Sequence, residues 1–333
     1  MIALPASSGS GQPTSNPLLP GWRQTATEIE ARNRHVTIVP EHLHRILPWL
    51  VPGPANEAWR SYVGPVDKDA PDLGRLFFEL ALTISQFGGF IGFRSDGQLG
   101  EWKREGSGIK AILATMSRIR SAKKLPGLDI HADYDRELAH FFIRTPFGHE
   151  RLDMLTEVGS TNSPRYFQDM LACAHRRDGS YRFNVLHMKG LACRFPMAFG
   201  EDPVFYKKAS LLLMTMEIAL NQLGCKAVSE TLPPADYRIP QILEGLGILK
   251  FSGDIADKVA SGHVFSLDDA EVHAIRSATV DAVALIKSNY EQHHACETTC
   301  AEIDGLLYLL SRNRPLMGRA SMKPHMRVAT HAF

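Results

Sequence analysis

Thr231-Leu-Pro-Pro-Ala-Asp-Tyr-Arg-Ile-Pro-Gln-Ile-Leu243 is the segment whose residue types and spacing come nearest to a reactive site. Asp236 stands just ahead of a helix whose entry is marked by Pro240. Unpaired backbone N–H groups and the helix dipole favour a carboxylate there. On spacing alone, a plain helix cap accounts for that placement. Its neighbours make chemistry worth considering: Tyr237 offers a stacking face and Arg238 an anion partner, a set suited to a sugar-linked base. Lys207 and Lys208, in Phe205-Tyr-Lys-Lys-Ala209, open a long apolar helix. Most lysines so placed are solvated. One turned inward, against a hydrophobic wall, can hold a phosphate or a developing anion.

Leu243-Glu-Gly-Leu-Gly-Ile248 reads as a helix, a tight Gly-x-Gly turn and a second helix. It resembles the helix-hairpin-helix element of DNA glycosylases, whose turn amides bind a phosphodiester. A simple corner between two helices, with glycine at positive φ, fits as well. His293, Cys296 and Cys300 share one helical face, but zinc wants four well-spaced ligands and no second cysteine pair completes the set. This stretch is read as a helix end, and no metal site is predicted. The chain also lacks a Gly-x-Ser-x-Gly elbow, a His-Glu-x-x-His pair, a Gly-x-Gly-x-x-Gly fingerprint and a phosphate loop ending in Gly-Lys-Ser/Thr, so no cofactor is predicted.

Helical patterns dominate the elements that must position these groups. Buried or amphipathic helices are predicted over Pro40–Trp49, Leu73–Phe90, Ile109–Ile119, Asp133–Phe142, Gly148–Val158, Ser163–His175, Tyr181–Leu191, Phe205–Leu223, Asp268–Tyr290 and Ile303–Ser311. Ser266 with Asp269 resembles a capping box for the helix at Asp268, and Gly159 reads as a C-cap. Strand signals are short: His35–Val39, a hairpin over Phe90–Trp102 turning at Ser95-Asp96-Gly97, and an extended Val328–Phe333 tail. The expected fold is therefore mainly α, a compact multi-helix arrangement with few short strands. No βαβ rhythm points to a doubly wound nucleotide fold.

Lys+Arg (37) nearly balance Asp+Glu (36), for a net charge of +1, which gives no broad attraction for long nucleic acid. Five scattered cysteines do not look like a disulfide framework. With no basic-then-apolar leader and no run long enough to span a bilayer, the expectation is a soluble, cytoplasmic protein. Residues 1–20, rich in Ser, Gly and Pro, read as a disordered lead to a single domain over 21–333.

Taken in order, several segments resemble the queuosine salvage protein family, the queuosine 5′-phosphate N-glycosidases. They are Val36-Thr-Ile-Val with Pro40-Glu41, Glu150-Arg-Leu-Asp-Met-Leu-Thr-Glu-Val-Gly159, Phe195-Pro-Met-Ala-Phe199 with Asp202, and Phe205-Tyr-Lys-Lys-Ala209. Further along come Ala235-Asp-Tyr-Arg-Ile-Pro-Gln241, Glu271-Val-His-Ala-Ile-Arg276, Ile303-Asp304 and His325-x-Arg327. The resemblance implies a mainly helical fold related to helix-hairpin-helix DNA glycosylases. It also implies hydrolysis of queuosine 5′-phosphate, or a related modified nucleotide, to the free base queuine. Carried over by motif, Asp236 is the catalytic carboxylate and Lys207 its cationic neighbour. Asp304 is a contact to the base, and Tyr237, Arg238, Arg276 and His325 line the substrate. Thr83-Ile-Ser-Gln-Phe87 falls on the family's Asp-x-Leu-Asn-Phe stretch and retains Phe87 while losing the acid. Pro234 replaces a family Phe, Gly108-Ile-Lys110 replaces Gly-Tyr-Trp, and Leu309 replaces a second carboxylate after Asp304. The expected partner is a small modified nucleotide. A non-catalytic nucleotide- or nucleic-acid-binding module is the alternative, and a DNA glycosylase, which the balanced charge disfavours, is a third reading.

Overall fold

The computed structural model describes residues 14–15, 22–50, 72–93, 98–101, 112–114, 142, 145–160, 162–311 and 323–332. The expected lead over 1–20 lies almost wholly outside them, as do nearly all of the Ile109–Ile119 and Asp133–Phe142 helices and the hairpin turn at 95–97.

The fold is mainly helical. Among the described residues its helices include α1 (Ala26–His35), α2 (Leu73–Ser85), α3 (Gly148–Val158), α4 (Ser163–Ala174), α5 (Val185–Arg194), α6 (Lys207–Gln222), α7 (Arg238–Gly245), α8 (Gly253–Ala260), α9 (Ala270–His294) and α10 (Cys300–Ser311). Among the described residues the strands pair two by two. β1 (Thr14–Ser15) and β2 (Arg23–Gln24) are antiparallel, as are β3 (Val36–Ile38) with β8 (Leu249–Phe251) and β4 (Ile91–Phe93) with β5 (Leu99–Glu101). β6 (Tyr181–Asn184) and β7 (Ala227–Glu230) run parallel, and so do β9 (Val264–Phe265) and β10 (Arg327–Val328).

Buried apolar side chains form two clusters. One joins α2 to α6 around Phe77, Phe167, Phe183, Phe195 and Leu212. The other joins α7 to α10 with β3 and β8, around Ile242, Leu249, Ile275, Val283 and Leu307. Each such side chain, taken fully out of water, contributes roughly 1.5–3 kcal/mol before entropy is subtracted. The seam between the clusters passes through one short stretch: Ala235 belongs to the first and Ile239 to the second, with Asp236 between them. A polar group at that seam is anchored on both sides.

The structure departs from the sequence reading at several places. Tyr181–Asn184, expected to be the start of a helix, is a strand, because parallel pairing with Ala227–Glu230 captures its backbone. The helix begins only at Val185, where the Asn184 side chain accepts from the Leu186 N–H. Pro40–Trp49 forms two 3₁₀ segments, Pro40–Arg45 and Leu47–Trp49, in place of one α-helix. The second contains Pro48, which cannot donate into a ladder. Asp269 does not cap α9 through its side chain. Its carboxylate accepts from the Ser266 N–H at 2.8 Å, the reverse half of a capping box, and the helix starts at Ala270. Gly159 is the C-cap of α3 as expected, although at φ −72 it does so without the left-handed turn that glycine permits.

The Gly-x-Gly turn is real but its sequel is not a second helix. Gly247 adopts φ +73, and the chain then enters β8, which pairs with β3 before α8 begins. The element is helix, turn, strand, helix. Among the described residues no helix is long and apolar enough to cross a membrane.

Candidate active site

Lys207 is the first residue of α6. The preceding Tyr206 sits at φ 49, in the left-handed region, so the chain turns sharply into the helix two residues later than the sequence pattern implies. That turn carries Lys207 inward, where it is 4% exposed. Its backbone N–H donates to Asp202 Oδ2 at 3.0 Å, and its Nζ lies 3.5 Å from the carbonyl oxygen of Phe87. Lys208 is also buried, with Nζ 3.1 Å from Met154 Sδ, so neither lysine is solvated.

Asp236 is half-buried at the entry to α7. Its Oδ1 accepts from the Arg238 N–H at 2.7 Å and the Ile239 N–H at 3.4 Å. The cap expected from spacing is thus present, and it fixes the carboxylate's orientation. Asp304, on α10, is 7% exposed. Burial pushes its carboxyl well above the usual range, the negative charge of Asp236 pushes it further, and Lys207 opposes both. Burial likewise draws the Lys207 ammonium down, while the Asp236, Asp202 and Asp304 charges resist and Arg276 adds to the fall. These mutual influences place Lys207, Asp236 and Asp304 in one electrostatic site, fed by α6, the α7 entry and α10.

Behind this site lies a buried ion pair. Arg276, on α9, donates NH1 to Asp202 Oδ1 at 2.9 Å and NH2 to Asp202 Oδ2 at 2.6 Å. Its Nε donates to the Ala235 carbonyl at 2.7 Å, and its guanidinium lies 4.1 Å above the Phe205 ring. Burial raises the Asp202 carboxyl, but the Arg276 charge and the hydrogen bonds outweigh it and leave it below the usual range.

The family model for the queuosine salvage protein matches residues 106–331. The chain belongs to the queuosine salvage protein family. Relatives named queuosine 5′-phosphate N-glycosylase/hydrolase include proteins of a mouse, a cow and a bacterium. The Mus musculus protein is 26% identical over 314 residues, covering 87% of this chain and 90% of its own length. The Bos taurus protein is 29% identical over 173 residues, 49% of this chain and 50% of its own. The protein of Sphaerobacter thermophilus is 28% identical over 170 residues, 49% of this chain and 52% of its own.

In this queuosine salvage family member, Tyr237 and Arg238 directly follow Asp236 at the entry to α7. Tyr237 and His325 pack ring to ring, centroids 4.7 Å apart and planes 38° apart, both half-buried. Arg238 NH1 donates to Gln241 Oε1 at 2.7 Å, and Gln241 Nε2 donates to the Lys323 carbonyl at 2.7 Å. Together with the Lys323–Glu244 pair at 2.7 Å, this chain of contacts ties the C-terminal segment to α7. Phe87 is buried in the first apolar cluster, and it is its backbone carbonyl that meets Lys207. Arg276 is 1% exposed and faces Asp202, Ala235 and Phe205. Asp202 was visible only as a motif residue, although its position five residues before Lys207 suits an acceptor for a helix N-terminus. Among the described residues no group of His, Cys, Asp and Glu is placed to hold a metal ion.

Proposed function

We propose that this chain hydrolyses the N-glycosidic bond of queuosine 5′-phosphate, or of a closely related modified nucleotide, to the free base and ribose 5-phosphate. The observation that carries the reading is the convergence of Lys207, Asp236 and Asp304, one cation and two carboxyl groups in different environments. Burial and the charge of Asp236 favour a protonated Asp304, while Asp236 is partly open and held by backbone N–H groups. A buried carboxyl group whose surroundings favour its protonated form, set beside a more open carboxyl group, is the usual arrangement of acid and base in glycoside cleavage.

In this account the bond between the base nitrogen and C1′ breaks with its electron pair passing to the base. Positive charge develops on the ribose, and Asp236 stabilises it. Water adds its oxygen to C1′ and gives a proton to Asp236, which yields ribose 5-phosphate. A 7-deazaguanine carries carbon where a purine has N7, so protonation at that atom cannot assist departure. Asp304 supplies the proton that the leaving nitrogen needs, and the proton on Asp236 restores the site through solvent. Lys207 balances either the developing charge on the base or the 5′-phosphate. Tyr237, with His325 packed against it, and Arg238 border the ribose and base, beside Phe87.

The helical frame is further proposed to be of the DNA-glycosylase kind on the strength of the motif resemblance; the tight turn at Gly247 fits that reading, and the strand that follows it does not. No observation favours the non-catalytic alternative. Incubation with queuosine 5′-phosphate, queuosine and ordinary nucleotides, with free base followed by mass spectrometry, tests the reading. Release of queuine from the 5′-phosphate is expected; absence of release from every substrate contradicts it.

A further inference from the structure

Lys207 and Asp236 arrive at the site from different elements, and neither element alone fixes the distance between them. Their backbones meet through one buried pair. Asp202 Oδ2 accepts the N–H of Lys207 at 3.0 Å and a nitrogen of Arg276 at 2.6 Å. Arg276 Nε holds the carbonyl of Ala235, the residue before Asp236, at 2.7 Å. The path from Lys207 to Asp236 is therefore three hydrogen-bonded links, all through groups of Asp202 and Arg276. Those two side chains are 6% and 1% exposed, and the Phe205 ring, 4.1 Å from the guanidinium, closes its flat face.

We propose that Asp202 and Arg276 form one positioning unit, which holds the Lys207 and Asp236 ends of the site in register without touching substrate. The proposal rests on the glycosidase reading above. Its geometry explains why a planar fork is needed: Arg276 spends two nitrogens on Asp202 and the third on Ala235. A lysine offers a point charge and cannot span both partners. Asparagine at 202 keeps an acceptor for the Lys207 N–H but not two charged acceptors for the guanidinium.

The test uses the full chain with R276K and D202N, each checked for folding by circular dichroism. With queuosine 5′-phosphate as substrate, kcat is expected to fall by about 10- to 100-fold while KM stays within about threefold, as a misplacement of reacting groups on the order of 1 Å produces. A loss shared equally with KM, or kcat within about twofold of wild type in both folded variants, overturns the positioning role. A second readout needs no turnover. Hydrogen exchange of the 205–209 and 234–239 segments is expected to rise together in either variant. A rise in one segment alone overturns the coupling. A wild type that releases no base contradicts the proposed reaction, whereas an active wild type with unchanged variants contradicts the positioning role alone.

Discussion

Asp304 and Asp236 share one site, and the charge of Asp236, added to burial, holds the Asp304 carboxyl well above its usual range. In the proposed reaction the pair divides the work that cleavage of a glycosidic bond requires. A carboxyl group whose surroundings favour its protonated form can serve as a proton donor, and Lys207 opposes that shift.

The first prediction concerns Asp304. Because its folded-state value is raised, activity should persist as pH rises through the ordinary carboxylate range and fall only when Asp304 finally ionises. Asp304→Asn keeps the shape and loses the proton, so kcat should drop by about 10²- to 10⁴-fold with the fold intact. The high-pH limb of the kcat profile should vanish with it. An unchanged limb in Asp304→Asn assigns that ionisation to another group.

Stability should also carry a signature from Glu217, in the middle of α6. Its carboxylate accepts from the Ser229 N–H at 2.9 Å, from the Ser229 hydroxyl and from the Thr299 hydroxyl at 3.2 Å, yet burial raises it from 4.5 to about 7. A raised folded value means that this contribution is complete below 4.5 and is lost as pH climbs to about 7. The loss is on the order of 3 kcal/mol. Glu217→Gln should abolish that window, which urea unfolding at pH 5 and pH 8 will show. An equal pH slope in wild type and variant contradicts the assignment.

Arg151 is expected to be indispensable to the fold. It is 0% exposed, burial lowers it to about 9, and it donates to the carbonyls of Pro146, Gln86, Gly88 and Gly89. These carbonyls sit where α2 ends and α3 begins, in the segment that presents Phe87 to Lys207. Arg151→Met leaves them without that donor, at about 1–3 kcal/mol for each group left unsatisfied. A loss of at least about 3 kcal/mol is expected by urea titration; a loss under about 1 kcal/mol contradicts the role.

Gly92 offers a steric test of the same region. A Cβ there would stand 2.1 Å from Cε2 of Phe147, whose own backbone is held at φ 58 at the start of α3. Gly92→Ala should destabilise by about 1–3 kcal/mol through overpacking. A neutral result would show that Phe147 moves freely, which its edge contact with His331, 5.4 Å between centroids, argues against.

Much of the helical frame was legible in the sequence, because periodic apolar faces declare themselves locally. The reading of α3 over Gly148–Val158 agrees with the structure at both ends, and that of α4 to within a residue. Tyr181–Asn184 was misread because its conformation depends on a partner strand more than forty residues away in the chain. Asp236 was legible as a cap, which its contacts with the Arg238 and Ile239 N–H groups bear out, and as a candidate acid, which remains part of the proposal. Lys207 was named, but its inward turn depends on a left-handed Tyr206, which no local pattern announces. The Asp202–Arg276 pair spans a separation of 74 residues, so only the fold could reveal that Arg276 faces a carboxylate.

The central claim is most directly tested by a single-turnover comparison of wild type and Asp236→Asn on queuosine 5′-phosphate, with binding measured in parallel by calorimetry. The account predicts queuine released by wild type, release by the variant reduced by about 10³-fold or more, and nucleotide affinity retained within about tenfold. Equal release by both proteins would remove Asp236 from the chemistry, and nucleotide binding with no release by wild type would contradict the hydrolase itself.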